Sequence, residues 1–361
     1  MMKRLESMNI KFDEVLQHYF CEAKYVLKAV PFGLTNTTQV LEMNGQKYIV
    51  RIYNKYMKTI DSSELETQVT TFLDGRHLSF QVPVFLHTLS GENFVVLNDG
   101  SLAAITNFIE GSIPPLSDLK KAKHFGRLVG TFSSEMSKLQ PEKNGYQGIS
   151  FSKIYDIHPL ANRQSVKTFF ENSPFELSDS MFSFYQRMIT DVETSNLSLE
   201  VLPSQLVHHD LLIYNLLSRD DEIIGVLDFD FMGMDAAFME LAISFNHTIQ
   251  ESEGSLDMIE AFLQGYSTER KHSTLEINCL PLLTKIYFIA VLHFYIGQHY
   301  AGVTIEQNFN FMLNQFERNI NWLHKHDLKI QELFHRYLVR FDNDYYESET
   351  EGFHKGSTYT Q

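Results

Sequence analysis

The segment Leu206-Val207-His208-His209-Asp210-Leu211-Leu212-Ile213-Tyr214-Asn215-Leu216-Leu217 places an aspartate and an asparagine five residues apart. Downstream, Val226-Leu227-Asp228-Phe229-Asp230 ends an apolar run in two more carboxylates. Moving the γ-phosphoryl group of ATP to a hydroxyl requires an acceptor for the hydroxyl proton and oxygen ligands for Mg²⁺, because the charge of the triphosphate must be held during transfer. Asp210 is the candidate that accepts the proton or orients the nucleophile. Asn215 offers an amide oxygen to one metal ion and Asp228 a carboxylate that bridges to it. Asp230 either adds a second carboxylate to the metal shell or faces water. His208 is expected to brace the loop and not to react.

Such a loop needs a scaffold. The first 110 or so residues read as strands: Lys24 to Val30, Thr38 to Met43 and Gln46 to Tyr53 are rich in β-branched and aromatic residues, and Asn44-Gly45 is a hairpin signal. A helix is expected from Ser63 to Arg76, where Leu65, Val69, Phe72 and Leu73 share a face. Val84 to Leu89 and Phe94 to Leu97 flank Ser90-Gly91 as a second hairpin, and Ala103 to Ile109 supplies a last strand. Glu110-Gly111-Ser112-Ile113-Pro114-Pro115 breaks this pattern, and helical spacing follows near 116–139, 178–197, 255–268, 275–300 and 305–326. Ile223 to Asp230 is then an isolated strand-like run among helices. The expected division is 1–111, 112–342 and a polar tail, 343–361.

Composition sets outer limits. With 361 residues, 43% apolar and 21% charged, 29 Phe and 17 Tyr, the chain is a folded globular protein and not a disordered one. Two cysteines, Cys21 and Cys279, cannot form a disulfide framework or a CxxC metal site. Lys3 and Arg4 are followed by polar residues, and the apolar run Ile286 to Ile296 falls short of the ~20 residues that cross a bilayer. These features point to a cytoplasmic protein. A net charge of −15 argues against nucleic acid or an anionic membrane as a partner, and suits a small cationic or zwitterionic substrate.

His-x-Asp-x-x-x-x-Asn followed by Asp-Phe-Asp is also the order of residues in protein kinases. Up to about residue 330 the chain resembles the aminoglycoside phosphotransferase and choline kinase superfamily, small-molecule relatives of those enzymes. The resemblance implies an α+β, protein-kinase-like two-lobed fold, ATP and Mg²⁺ as cofactors, and a small-molecule hydroxyl acceptor. Met239-Glu240-Leu241-Ala242 looks like the helix that supports the catalytic loop, with Glu240 where the family usually has Asp. Gly33-Leu34-Thr35-Asn36-Thr37-Thr38 sits as the phosphate-covering loop does, placing Gly33, Asn36 and Thr37 at the triphosphate; an ordinary turn is the other reading. Arg51 occupies the strand position of the phosphate-binding lysine, with Glu66 as its helix partner. Against that pairing, Ser63-x-x-Glu66 also reads as a capping box. Asn107 to Glu110 matches the inter-lobe linker, whose backbone, including that of Asn107 and Ile109, would hold adenine.

Leu241 to Asn246 and Glu253 to Asp257 look most like the homoserine kinase type II branch, so an amino-acid alcohol such as homoserine is the preferred acceptor. Aminoglycosides, choline or ethanolamine, and sugars remain alternatives, as does a non-catalytic kinase-like structural protein. A protein kinase is disfavoured by the lack of an Ala-Pro-Glu segment and of a lysine two residues beyond Asp210. His247, Tyr287, His293, Tyr295 and His299 are candidates for acceptor contact, although a structural place is the first reading for each, since a histidine on an apolar helix is usually a hydrogen-bonded core residue.

Overall fold

The structure, a computed structural model, describes residues 2–21, 24–30, 36–141, 145–195 and 199–340. Gly33 and the tail 343–361 lie outside them, as do the side chains of residues 2–10. Helix α1 (Met2–Tyr19) opens the chain and was not anticipated, although Phe12, Val15, Leu16 and Tyr19 recur at helical spacing. Those four side chains are buried against Leu41, Val50, Ile52 and Ile105 of the sheet behind them.

That sheet is antiparallel, with strands β1 (Tyr25–Ala29), β2 (Thr37–Met43), β3 (Gln46–Ile52), β4 (Val95–Val96) and β5 (Leu102–Asn107) in the order β1-β2-β3-β5-β4. The β2–β3 turn uses Asn44 and Gly45, both at positive φ (51° and 77°), as a tight primed turn requires. Its register sets Arg51 between Thr38 and Ala104. Helix α2 (Ile60–Asp74) starts at Thr59, whose hydroxyl accepts the Ser62 N–H in a Thr59/Ser62 capping box. The Ser63/Glu66 box is therefore not formed, and Glu66 is buried inside the helix.

Val84 to Leu89 does not form a hairpin with Phe94 to Leu97. Both segments lie along the same edge of β5, one after the other: β4 pairs with Leu102 and Ala103, while Leu86 N–H donates to Ile105 and Asn107 N–H to Val84. One strand edge offers each backbone group once, so the two runs share it end to end.

The remainder is built on α3 (Leu119–Met136), α4 (Arg163–Glu171), α5 (Asp179–Glu193), α6 (Phe238–Glu251), α7 (Leu256–Tyr266), α8 (Thr274–Asn278), α9 (Leu280–Tyr300) and α10 (Glu306–Tyr337), the last bent at His326. Helix α4 was not expected from the sequence. Helices α3 and α7 cross backbone to backbone: a methyl group at Gly126 would lie 1.9 Å from the Phe262 carbonyl, and one at Gly265 1.9 Å from that of Lys123. Helix α9 is longer than its most apolar run suggested and has the length and composition of a membrane span, but 78% of that stretch is buried inside the protein, as for a core helix.

Two short ladders carry the segment that holds Asp210, Asn215 and Asp228. Strand β6 (Ser204–Val207) pairs with β9 (Gly233–Ala236), and β7 (Leu216–Arg219) with β8 (Glu222–Val226) across an Asp220-Asp221 turn at positive φ. The run from Ile223 is thus not isolated: β8 is one arm of a hairpin whose other arm follows Asn215. Gln81, from the segment after α2, bonds to Ile224 and Val226 and ties the hairpin to the strand-rich part.

Candidate active site

Strand β6 delivers the chain to His208, and the backbone then turns sharply, with His209 at φ 63°. Its conformation is fixed from several sides. His208 Nδ1 accepts the Asp210 N–H at 3.2 Å, so its proton resides on Nε2, which donates to the Leu227 carbonyl at 3.1 Å. Burial holds the ring well below its usual range, at about 3, so it stays neutral. This is a bracing geometry, as expected. His209 stacks on Phe151 at 4.1 Å, with its ring nitrogens facing the Phe231 carbonyl (2.8 Å) and Asp235 (3.2 Å). Asp235 also accepts from Ser150, Phe151 N–H and Ala236 N–H, which satisfies a buried carboxylate. Glu240 on α6 accepts the His208 N–H at 2.8 Å, while its other oxygen is buried without a hydrogen-bond partner. Burial pushes the Glu240 carboxyl up to about 7.

Asp210 projects from this braced loop. The Asn215 amide nitrogen donates both to the Asp210 carbonyl (2.8 Å) and to its carboxylate (2.7 Å). The Asn215 side-chain oxygen therefore points away and is free to accept. Asp228, just past β8, is held at φ 65°, a strained conformation for a non-glycine residue. One of its oxygens is buried without a hydrogen-bond partner. Burial, and then the charge of Asp228, push the Asp210 carboxyl well above the ordinary range. Burial and then Asp230 push Asp228 up likewise.

Asp230 was expected as a metal ligand or a water-facing group; both of its oxygens accept from side chains. One oxygen accepts from Lys58 at 2.9 Å and the other from the Asn36 amide at 2.5 Å. Burial alone would raise Asp230, but Lys58 and Arg51 outweigh it and hold the carboxyl low. Glu66 is held by Lys58 and, at 3.4 Å, by the Tyr53 hydroxyl. The expected Arg51–Glu66 pair is absent among the described residues: the Arg51 guanidinium stands 3.7 Å from Asp228 and 3.9 Å from Asp230. Lys58 went unnoticed in the sequence because a lysine in a polar loop is usually solvated; its side chain is 3% exposed.

Of the other nucleotide candidates, Asn36 joins the loop before β2 to Asp230 and to the Asn54 N–H (3.0 Å). Thr37 begins β2 opposite Ile52. The Asn107 side chain accepts the Val84 N–H at 2.7 Å and so shapes the linker, and Ile109 is buried against Gly225. Among the acceptor candidates, Tyr287 and Tyr295 on α9 lie within electrostatic reach of Asp210. Burial first and that charge second raise both hydroxyls, Tyr295 to about 12. His293 is instead bonded to Tyr185 (2.6 Å) and the Ile154 carbonyl (2.7 Å), which leaves neither ring nitrogen for a substrate. His247 packs edge-on between Phe125 and Tyr214, and His299 against Phe169 and Tyr300.

Among the described residues no group of three or more His, Cys, Asp or Glu side chains is disposed to hold a metal alone. Mg²⁺ bound with a nucleotide needs only one or two protein oxygens, since phosphates and water complete its shell. Asn215, with an amide oxygen turned away from Asp210, and Asp228, with a buried oxygen that accepts no hydrogen bond and faces Arg51 at 3.7 Å, fit that requirement.

Known proteins resemble the chain over most of its length. Residues 26–275 match the model of the phosphotransferase enzyme family. Homoserine kinase from Granulibacter bethesdensis is 24% identical over 288 residues, covering 75% of this chain and 82% of that protein. Homoserine kinase from Parvibaculum lavamentivorans is 24% identical over 263 residues, covering 72% and 76%. Among solved structures, a microcompartment-associated aminopropanol kinase superposes with a TM-score of 0.65 at 16% identity, covering 87% of this chain and 96% of that one. Amicoumacin kinase in complex with AMP-PNP, Ca²⁺ and Ami superposes with a TM-score of 0.62 at 15% identity, covering 89% and 96%. The fold is thus the protein-kinase-like α+β fold of small-molecule kinases, and the chain belongs to the phosphotransferase enzyme family.

Proposed function

We propose that this protein is an ATP- and Mg²⁺-dependent kinase that phosphorylates the hydroxyl of a small amine-bearing molecule, an amino-acid alcohol such as homoserine being the preferred acceptor. The observation that carries this reading is the Asp210 carboxylate, held by the Asn215 amide on a braced loop, together with the Asp228 oxygen that accepts no hydrogen bond. In it, Asp210 takes the hydroxyl proton or aligns the attacking oxygen. Asn215 and Asp228 would hold the metal, which supplies charge neutralisation for the transferring phosphoryl group. Arg51 faces the same space from β3. Residues 1–111 form the nucleotide lobe in this reading and 112–342 the acceptor lobe, and the protein works in the cytoplasm.

The carboxylates of Asp210 and Asp228, with Tyr287 and Tyr295 in the field of Asp210, favour an acceptor that carries a positive charge. The names of the curated relatives favour homoserine within that class. Choline, ethanolamine and aminopropanol share the charged amine and lack the carboxylate, which makes them the second reading.

ADP release from Mg·ATP against homoserine, threonine, choline, ethanolamine, aminopropanol, amino sugars and aminoglycosides tests this, with Asp210→Ala as the blank. Turnover with homoserine that disappears in the blank supports the preferred acceptor, and turnover with an amine lacking a carboxylate replaces it. No turnover with any of them, in a protein that binds Mg·ATP, rejects this acceptor class.

A further inference from the structure

We propose that Lys58 is a positioning residue which ties Glu66 of α2 to Asp230 from the loop between β3 and α2, leaving Arg51 to receive the nucleotide phosphates. This rests on the ATP-dependent reading above.

The loop is built for the purpose. Met57 and Lys58 N–H groups both donate to the Asn54 carbonyl at 3.0 Å, and the Asn54 N–H is itself held by the Asn36 side chain. This turn sends Lys58 back under the sheet, where its ammonium meets Glu66, Asp230 at 2.9 Å and the face of Tyr53 at 4.9 Å. Those contacts fill the ammonium's directions, and both Lys58 and Glu66 side chains are 3% exposed. Withdrawing Lys58 toward a phosphate would strand two carboxylates in a buried site, and breaking a buried pair from one side is strongly unfavourable.

Arg51 is in the opposite condition. Its contacts of 3.7 and 3.9 Å are beyond hydrogen-bonding distance, and its side chain is 19% exposed. Among the described residues it can turn to an incoming phosphate without losing a hydrogen bond, only loosening its longer approaches to Asp228 and Asp230, and a guanidinium is suited to bidentate phosphate contact. The two cations thus divide the work: one is fully committed to carboxylates, the other is available.

The test compares wild type with Lys58→Met, Lys58→Arg and Arg51→Met. It reads equilibrium binding of a fluorescent ATP analogue with Mg²⁺, amide hydrogen exchange of α2 in the nucleotide-free protein, and turnover. Lys58→Met is expected to bind nucleotide within about threefold of wild type, to lose ~10²-fold in turnover, and to exchange α2 amides at least ~10-fold faster. Lys58→Arg is expected to recover part of the turnover. Arg51→Met is expected to weaken nucleotide binding at least ~10-fold with α2 exchange unchanged. If Lys58→Met does not fold, Glu66→Gln breaks the same tie and is expected to give the same pattern. Nucleotide binding lost equally in Lys58→Met and Arg51→Met would place the ammonium on the phosphates and overturn the proposal, as would α2 exchange that no Lys58 or Glu66 variant moves. A wild type that binds no nucleotide removes the ATP reading and the role given to Arg51, and α2 exchange then decides the Lys58 tie by itself.

Discussion

The Asn215 amide nitrogen lies 2.8 Å from the Asp210 carbonyl and 2.7 Å from its carboxylate, so one side chain both orients the proposed base and turns its own oxygen outward. Asn215→Asp keeps a metal-binding oxygen but sets a carboxylate against Asp210 in place of a donor. It is expected to lose at least as much turnover as Asn215→Ala, whereas Asn215→Ala raises the Mg²⁺ concentration for half-maximal activity by ~10-fold. A Mg²⁺ titration of both variants checks this, and wild-type turnover in Asn215→Asp refutes it.

Asp210→Asn keeps the shape and removes the proton acceptor. Turnover should fall ~10²–10⁴-fold, with the dissociation constant for Mg·ATP within a few-fold of wild type. Parallel single-turnover and binding measurements separate these quantities. Loss of binding equal to the loss of turnover would argue that Asp210 supports the nucleotide instead.

Glu240 titrates near 7 in the folded protein because it is buried, against an ordinary value of 4.5. Between those values the folded state holds a proton that the unfolded chain has released, so stability falls as pH rises through this window and levels off above it. The share of Glu240 is at most about 3 kcal/mol. Asp210 and Asp228 are shifted in the same direction, so Glu240→Gln should flatten, not abolish, the slope of unfolding free energy between about pH 4.5 and 7. Denaturant melts at several pH values measure it, and an unchanged slope would mean that Glu240 is ionised at lower pH than its burial implies.

Tyr295→Phe and Tyr287→Phe remove hydroxyls near Asp210 without opening the core. Each is expected to raise the KM for the acceptor ~10-fold while leaving the KM for ATP unmoved. Steady-state kinetics with both substrates varied distinguishes this from a change on the nucleotide side.

The chemistry-bearing segment was legible because its groups are local: Asp210 and Asn215 sit on one loop and Asp228 at the end of the next hairpin. What escaped depends on contacts between distant segments. Lys58 acquires its meaning only when its loop folds beneath the sheet to meet Asp230, 172 residues on. Arg51 and Glu66 were read as partners from strand and helix positions, and that reading could not register that Lys58 takes Glu66. The two runs along β5 each had strand composition, but composition does not say which edge a strand will occupy. Helix α1 is a different case, since the spacing of Phe12, Val15, Leu16 and Tyr19 was there to be read.

Asn36, Lys58 and the more distant Arg51, which all reach Asp230, come from the strand-rich part of the chain. That carboxylate is one fastener among several, beside the Gln81 bonds to Ile224 and Val226 and the approach of Arg51 to Asp228, and a separation of the two parts would break its contacts together. In the ATP-dependent reading proposed above, nucleotide entry that required this separation would show an association rate approaching a plateau as nucleotide concentration rises, set by how often these contacts let go.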